Sequence, residues 1–151
     1  MKDRFEHLEQ EKRINDIVVD NVDTSEMNDP NKHLQELINT TLMGVIVSDN
    51  ELINTTVIKK RGSDKMTLIG KLKSIATKKA ILQQKKMFVK KRLFVKENLT
   101  PYKYGIFKSA KEIARKEGYK FVWTRDGNVF IRRDENSNPI QLRNKGMLSV
   151  L

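Results

Sequence analysis

The stretch Leu52-Ile-Asn-Thr-Thr-Val-Ile-Lys-Lys-Arg-Gly-Ser-Asp-Lys-Met-Thr-Leu-Ile-Gly-Lys-Leu72 decides how the first two thirds of this chain fold. Ile53, Thr55, Thr56, Val57 and Ile58 are β-branched and predict a strand over residues 52–60. Gly62-Ser63-Asp64 breaks it. Met66, Leu68 and Leu72 then alternate with Thr67, Ile69 and Lys71, which predicts a second strand over 66–72. Upstream, Ile14 to Val22 reads as a strand centred on Ile17, Val18 and Val19. A polar loop is expected over 23–29. Asp29-Pro30 then starts a helix, because Asp caps free amides and Pro suits the first helical position. Leu34, Leu37, Ile38 and Leu42 follow at helical spacing. Downstream, Ser74 to Lys86 predicts a helix with Ile75 and Leu82 inward, and Arg92 to Val95 a strand whose start extends toward Met87.

The resulting order is β-α-β-β-α-β, the split pattern of ferredoxin-like domains and of the RNA-recognition motif. The fold class is therefore α+β, with an RNA-recognition-like domain expected over 14–96. Residues 1–13 read as a charged helix with Phe5 and Leu8 as a thin apolar seam, either a frayed terminus or the end of a coiled coil. Residues 97–143 form a second small domain. In it Thr100-Pro101 starts a helix and Gly118 stops it, with Ile106, Phe107, Ala110, Ile113 and Ala114 as its inner stripe. Lys103, Lys108, Lys111 and Arg115 lie off that stripe. Asp126-Gly127 then centres a two-residue hairpin turn. Pro139 to Arg143 adds a last strand, and 144–151 is a tail.

Composition excludes several functions. The 151 residues contain no cysteine and two histidines, His7 and His33, so disulfides, thiolate zinc sites and histidine-based triads are ruled out or poorly supplied. No metal or other cofactor is expected. There is no phosphate-cradling or dinucleotide-type glycine loop and no nucleophile elbow, so the chain is not expected to be an enzyme. No run reaches the ~18 apolar residues of a membrane span, and the first residues lack a signal-peptide core. The expectation is a soluble intracellular protein without membrane insertion, in which the glycosylation-type triplets at Asn39, Asn54 and Asn98 are chance.

Charge is distributed unevenly. Residues 1–58 carry 5 basic and 12 acidic groups, a net of −7; residues 59–92 carry 13 basic groups and only Asp64, a net of +12; residues 93–151 carry 12 and 6, a net of +6. A segment so short of local carboxylates suits a polyanion. The alternatives are a solubilising surface or an acidic protein partner. The third strand lacks the aromatics of a standard RNA-recognition motif, so its basic margins predict phosphate tracking more than base readout. Those margins are Lys59, Lys60, Arg61 and Lys65 at the strand turn, Lys78, Lys79, Lys85 and Lys86 on the helix, and Lys90, Lys91 and Arg92 before the fourth strand.

With the turn at Asp126-Gly127, Arg125 pairs with Asn128, Trp123 with Phe130 and Phe121 with Arg132. One hairpin face carries Tyr119, Phe121, Trp123, Arg125, Phe130 and Arg132, and the other Val122, Thr124, Val129 and Ile131. The aliphatic face suits packing on the 101–117 helix. The aromatic face suits base stacking, or alternatively belongs to a core. Arg125 and Arg132 have no obvious carboxylate nearby and are candidate phosphate contacts.

Leu93-Phe-Val-Lys-Glu-Asn-Leu-Thr-Pro101, with Ala110-Lys-Glu-Ile-Ala-Arg-Lys-Glu-Gly-Tyr-Lys-Phe-Val-Trp-Thr-Arg-Asp-Gly-Asn-Val-Phe-Ile-Arg-Arg-Asp-Glu135, resembles the C-terminal domain of the baculovirus few-polyhedra (FP) protein family. It also resembles the related first-reading-frame proteins of LINE-type retrotransposons. Leu8-Glu-Gln-Glu-Lys-Arg-Ile-Asn15 is similar to the junction where the family's coiled coil meets its RNA-recognition-like domain. The resemblance implies single-stranded nucleic acid held between two domains, nucleic-acid chaperone activity and trimers in the retrotransposon proteins. In the baculovirus protein it implies a viral factor affecting virion occlusion. It maps the basic strand turn to Lys60, Arg61 and Lys65, the junction arginine to Arg13, and the basic end of the C-terminal helix to Arg115 and Lys116. Nearly all of the coiled coil is missing here, a departure that leaves the trimer without its usual basis.

The expected function is thus binding of single-stranded RNA or DNA with little sequence specificity, in a chaperone or packaging role. The host cytoplasm or nucleus is the expected location, with virion association. The alternative is a viral structural or assembly protein that meets capsid proteins.

Overall fold

The computed structural model describes residues 2–23 and 27–151, and the chain divides into two units. One is Asn15–Asn98; the other joins the residues up to Ile14 with Leu99–Leu151. The opening helix α1 (Lys2–Glu11) is therefore part of the second unit rather than a segment on its own.

The first unit runs β1 (Asp16–Asp23), α2 (Pro30–Thr41), β2 (Leu52–Lys59), β3 (Lys65–Leu72), α3 (Ile75–Gln83), α4 (Lys85–Val89) and β4 (Phe94–Glu97). Most of the loop expected over 23–29 lies outside the described residues. Asp29 caps α2 as its side chain accepts from the Lys32 amide, with Pro30 in the first turn. The strands form one antiparallel sheet in the order β2-β3-β1-β4. Its inner face carries Ile17, Val19, Leu68 and Leu72, which join Leu34, Ile38, Ile81 and Phe88 in a solvent-free core.

Three expectations needed correction here. The helix expected over 74–86 is broken at Gln84, whose backbone leaves the helical region while its side chain bonds both the amide and the carbonyl of Met43. The fourth strand begins at Phe94 rather than near Met87 or Arg92. Met87 belongs to α4, and Arg92 adopts a left-handed φ of 61° that an extended strand does not accommodate. Lys78, expected on the basic exposed face, points inward instead. Its Nζ lies 2.9 Å from Glu97 Oε1 of β4, and both side chains are almost solvent-free.

The second unit is built on α5 (Pro101–Glu117). Thr100 caps it by accepting from the Lys103 amide, and Gly118 ends it at a φ of 82°, where a Cβ would be strained. Strands β5 (Phe121–Arg125), β6 (Asn128–Arg132) and β7 (Ile140–Leu142) follow, then a 3₁₀ turn over Lys145–Val150. β5 and β6 pair as expected, with Asp126 and Gly127 at φ values of 51° and 78°, both positive as a type I′ turn requires. Val129 and Ile131 are fully buried against Ile106, Ala110 and Ala114, with Val122 and Phe107 packed on them. Three residues differ from expectation. Tyr119 packs on this core rather than sharing the aromatic face, Ile113 lies outside the buried cluster, and Lys103 is buried. Ile131→Ala should lower the stability of this unit by about 2–5 kcal/mol through lost burial and a cavity, measured by thermal unfolding.

The side chain of Gln10 locks α1 to this unit. Its Oε1 accepts from the Thr100 amide at 2.9 Å, and the same side chain lies over Gly127, where a Cβ would stand 2.5 Å from Gln10 Cγ. Phe5 and Leu8, the apolar seam of α1, are exposed.

Candidate nucleic-acid interface

In the first unit the basic residues gather at the end of the sheet where β2 turns into β3. Lys59, Lys60 and Arg61 are exposed, and Lys65 approaches one carboxylate, Asp23, only to 3.9 Å. Beside that turn a cleft of about 400 Å³ is lined by Asp20, Asn21, Lys60, Lys65, Thr67 and Phe94. A register shift in β1 between Val19 and Val22 shapes its floor, where Asn21 takes a φ of 68° and donates to the Arg92 carbonyl. The Arg92 backbone is thereby tied to Asn21, and its side chain is exposed. Lys90 ends α4 and is exposed, and Lys91 Nζ donates to Thr41 Oγ1 at 2.8 Å.

Asp20 is the cleft's carboxylate. Burial would raise its pKa, but hydrogen bonds from Lys96 and from the Thr67 hydroxyl outweigh this and hold it below the ordinary value. It is thus ionised at neutral pH and already neutralised by Lys96 at 2.9 Å, which leaves Lys60 and Lys65 as the cleft's excess charge. Phe94 lies directly across from Asp20 in the β1–β4 pairing, and its side chain is 52% exposed. Sequence reading missed this residue. The signal was available: on a strand whose neighbours Leu93 and Val95 face inward, Phe94 must face out.

In the second unit Trp123 and Phe130 stack, with ring centroids 5.5 Å apart and planes at 14°, on the face opposite Val122 and Ile131. Both are half-buried. Arg125 is exposed at the turn end of this face. Arg132 is not available in the same way. Its Nε donates to the Ser137 carbonyl at 2.8 Å and a terminal nitrogen donates to the Glu135 carbonyl, so it pins the loop after β6. Arg13 is likewise engaged, donating to the Leu99 carbonyl at 3.0 Å where α1 meets the start of α5. Arg115 and Lys116 are exposed in the last turn of α5, where the helix dipole favours cations. They stand at the opposite end of the hairpin from Arg125.

These placements separate the two hairpin arginines. Arg132→Ala should cost about 1.5–3 kcal/mol of stability, because it strips charged donors from two carbonyls. Arg125→Ala should stay within about 0.5 kcal/mol of the parent. Chemical denaturation of the two variants side by side checks this.

Among the described residues no group of three or more histidine, aspartate or glutamate side chains is arranged to hold a metal, and no helix is long and apolar enough to cross a membrane. Residues 100–151 match the family model described as Baculovirus FP protein domain 2. The match covers the second unit from its helix cap onward and agrees with the resemblance carried by residues 93–135. No curated protein matches the chain.

Proposed function

We propose that this chain, whose residues 100–151 match the model of Baculovirus FP protein domain 2, binds single-stranded nucleic acid through phosphate contacts with little sequence preference. The observation that carries the reading is the β2–β3 turn. It offers four cations within seven residues, and among the described residues only Lys65 of these four has a carboxylate within 4 Å, Asp23 at 3.9 Å. Such charges attract a flexible polyanion and carry no base information. Further support comes from the antiparallel sheet order β2-β3-β1-β4, compatible with an RNA-recognition-like domain, and from the stacked Trp123–Phe130 pair with Arg125 at its end. The relation to retrotransposon first-reading-frame proteins, a chaperone or packaging role and self-association belong to the same reading.

Fluorescence anisotropy with single- and double-stranded RNA and DNA tests it. Affinity for single strands should fall by ~0.7 log units per log unit of salt for each phosphate contact. A flat salt response would falsify the proposal. Trp123 is the only tryptophan, so stacking on it should quench the protein's emission without unfolding.

A second reading rests on the loop after α2. There Met43 and Ile46 are 77% and 82% exposed, an apolar pair suited to protein contact in virion assembly. Nuclease-resistant, salt-insensitive association with capsid would favour it.

A further inference from the structure

We infer that the cleft beside the β2–β3 turn seats one unstacked nucleobase bearing an exocyclic amine, with its ring on Phe94 and its edge on Asp20. The inference rests on the proposed binding of single strands and gives that surface a base-reading pocket. Phe94 is half exposed and lines the cleft with Lys60 and Lys65, and an aromatic ring beside cations is how sequence-tolerant proteins hold a base. Phe94 and Asp20 are directly paired across β4 and β1, so their β-carbons stand about 5 Å apart. A planar ligand lying on the ring therefore brings its edge over the carboxylate.

The polarity of that edge follows from the hydrogen bonds already made. The Asp20 oxygens accept from Thr67 Oγ1 at 2.7 Å and Lys96 Nζ at 2.9 Å, and a carboxylate has further lone pairs to offer. It can only accept. Cytosine, adenine and guanine each carry an amino group to offer such an acceptor, whereas uracil and thymine have none and offer only a ring N–H flanked by two carbonyls. Lys60 and Lys65 stand at the rim to meet the phosphate of the same nucleotide.

The pocket is tested with the whole chain, using anisotropy on short oligocytidine and oligouridine, which share ring size and differ in the exocyclic group. The parent should prefer oligocytidine. Phe94→Leu keeps an apolar side chain at an exposed site, so folding should be unchanged, checked by circular dichroism. Affinity should fall about 5- to 150-fold, the range for one stacked base. The salt slope should stay as in the parent, and the preference for cytosine should disappear. Conversely, Phe94→Trp in a Trp123→Phe background should bind, and its emission should be quenched by oligocytidine. If the parent binds with a steep salt slope but Phe94→Leu binds equally well, the pocket is wrong and the phosphate-binding reading stands. Equal affinity of the parent for the two oligomers also overturns it. If the parent binds neither oligomer, both readings fall together.

Discussion

Glu97→Leu should lower the unfolding free energy of the Asn15–Asn98 unit by about 3–5 kcal/mol. Glu97 faces Lys78 at 2.9 Å, and the two side chains are 4% and 2% exposed. Removing the carboxylate takes a counter-charge from an ammonium that is itself almost solvent-free, and a buried charge that loses its partner is costly. The pair itself is worth little, since its mutual attraction mainly offsets the desolvation of two charges. Lys78→Met combined with Glu97→Leu should therefore recover most of the loss or exceed the parent. Denaturant unfolding of the two single variants and the double gives the coupling directly. Additive losses would mean that the two groups do not compensate one another.

That pair also marks where sequence reading stops. Lys78 was assigned to a basic solvent face because its neighbours Lys79, Lys85 and Lys86 are solvent-facing lysines. A helix of this composition has no apolar stripe strong enough to fix its rotation from sequence. The break at Gln84 follows from a contact with Met43, 41 residues away, which no local pattern encodes. The hairpin was readable to the residue, because Asp126-Gly127 fixes the turn type and the turn fixes the register. The α5 boundaries were readable from Thr100-Pro101 and Gly118 for the same reason: the cap chemistry is local. Arg132 and Arg13 were legible as cations but not as loop anchors, since their acceptors are backbone carbonyls, which every residue carries. The alternation of Leu93, Phe94 and Val95 marks Phe94 as outward-facing, but its place beside Asp20 and the cleft comes only from the pairing of β4 with β1.

Replacing Lys60, Arg61 and Lys65 together with alanine should weaken single-strand binding by about 100-fold near 0.1 M salt, at three contacts of ~0.7 log units each. The slope of log affinity against log salt should become shallower by ~2, and the parent and variant lines should converge toward 1 M. The loss should be the same for every sequence, because phosphates are identical along the strand. Stability should be nearly untouched. Lys60 and Arg61 are exposed, and Lys65 gives up only a 3.9 Å approach to an exposed carboxylate, an interaction worth less than about 1 kcal/mol. This signature is opposite to that expected for Phe94→Leu, which should leave the slope alone and change the base preference. A triple variant with reduced affinity but the parent's slope would mean that the turn acts through its shape. The phosphate contacts would then have to be sought on Arg115, Lys116 and Arg125 of the second unit.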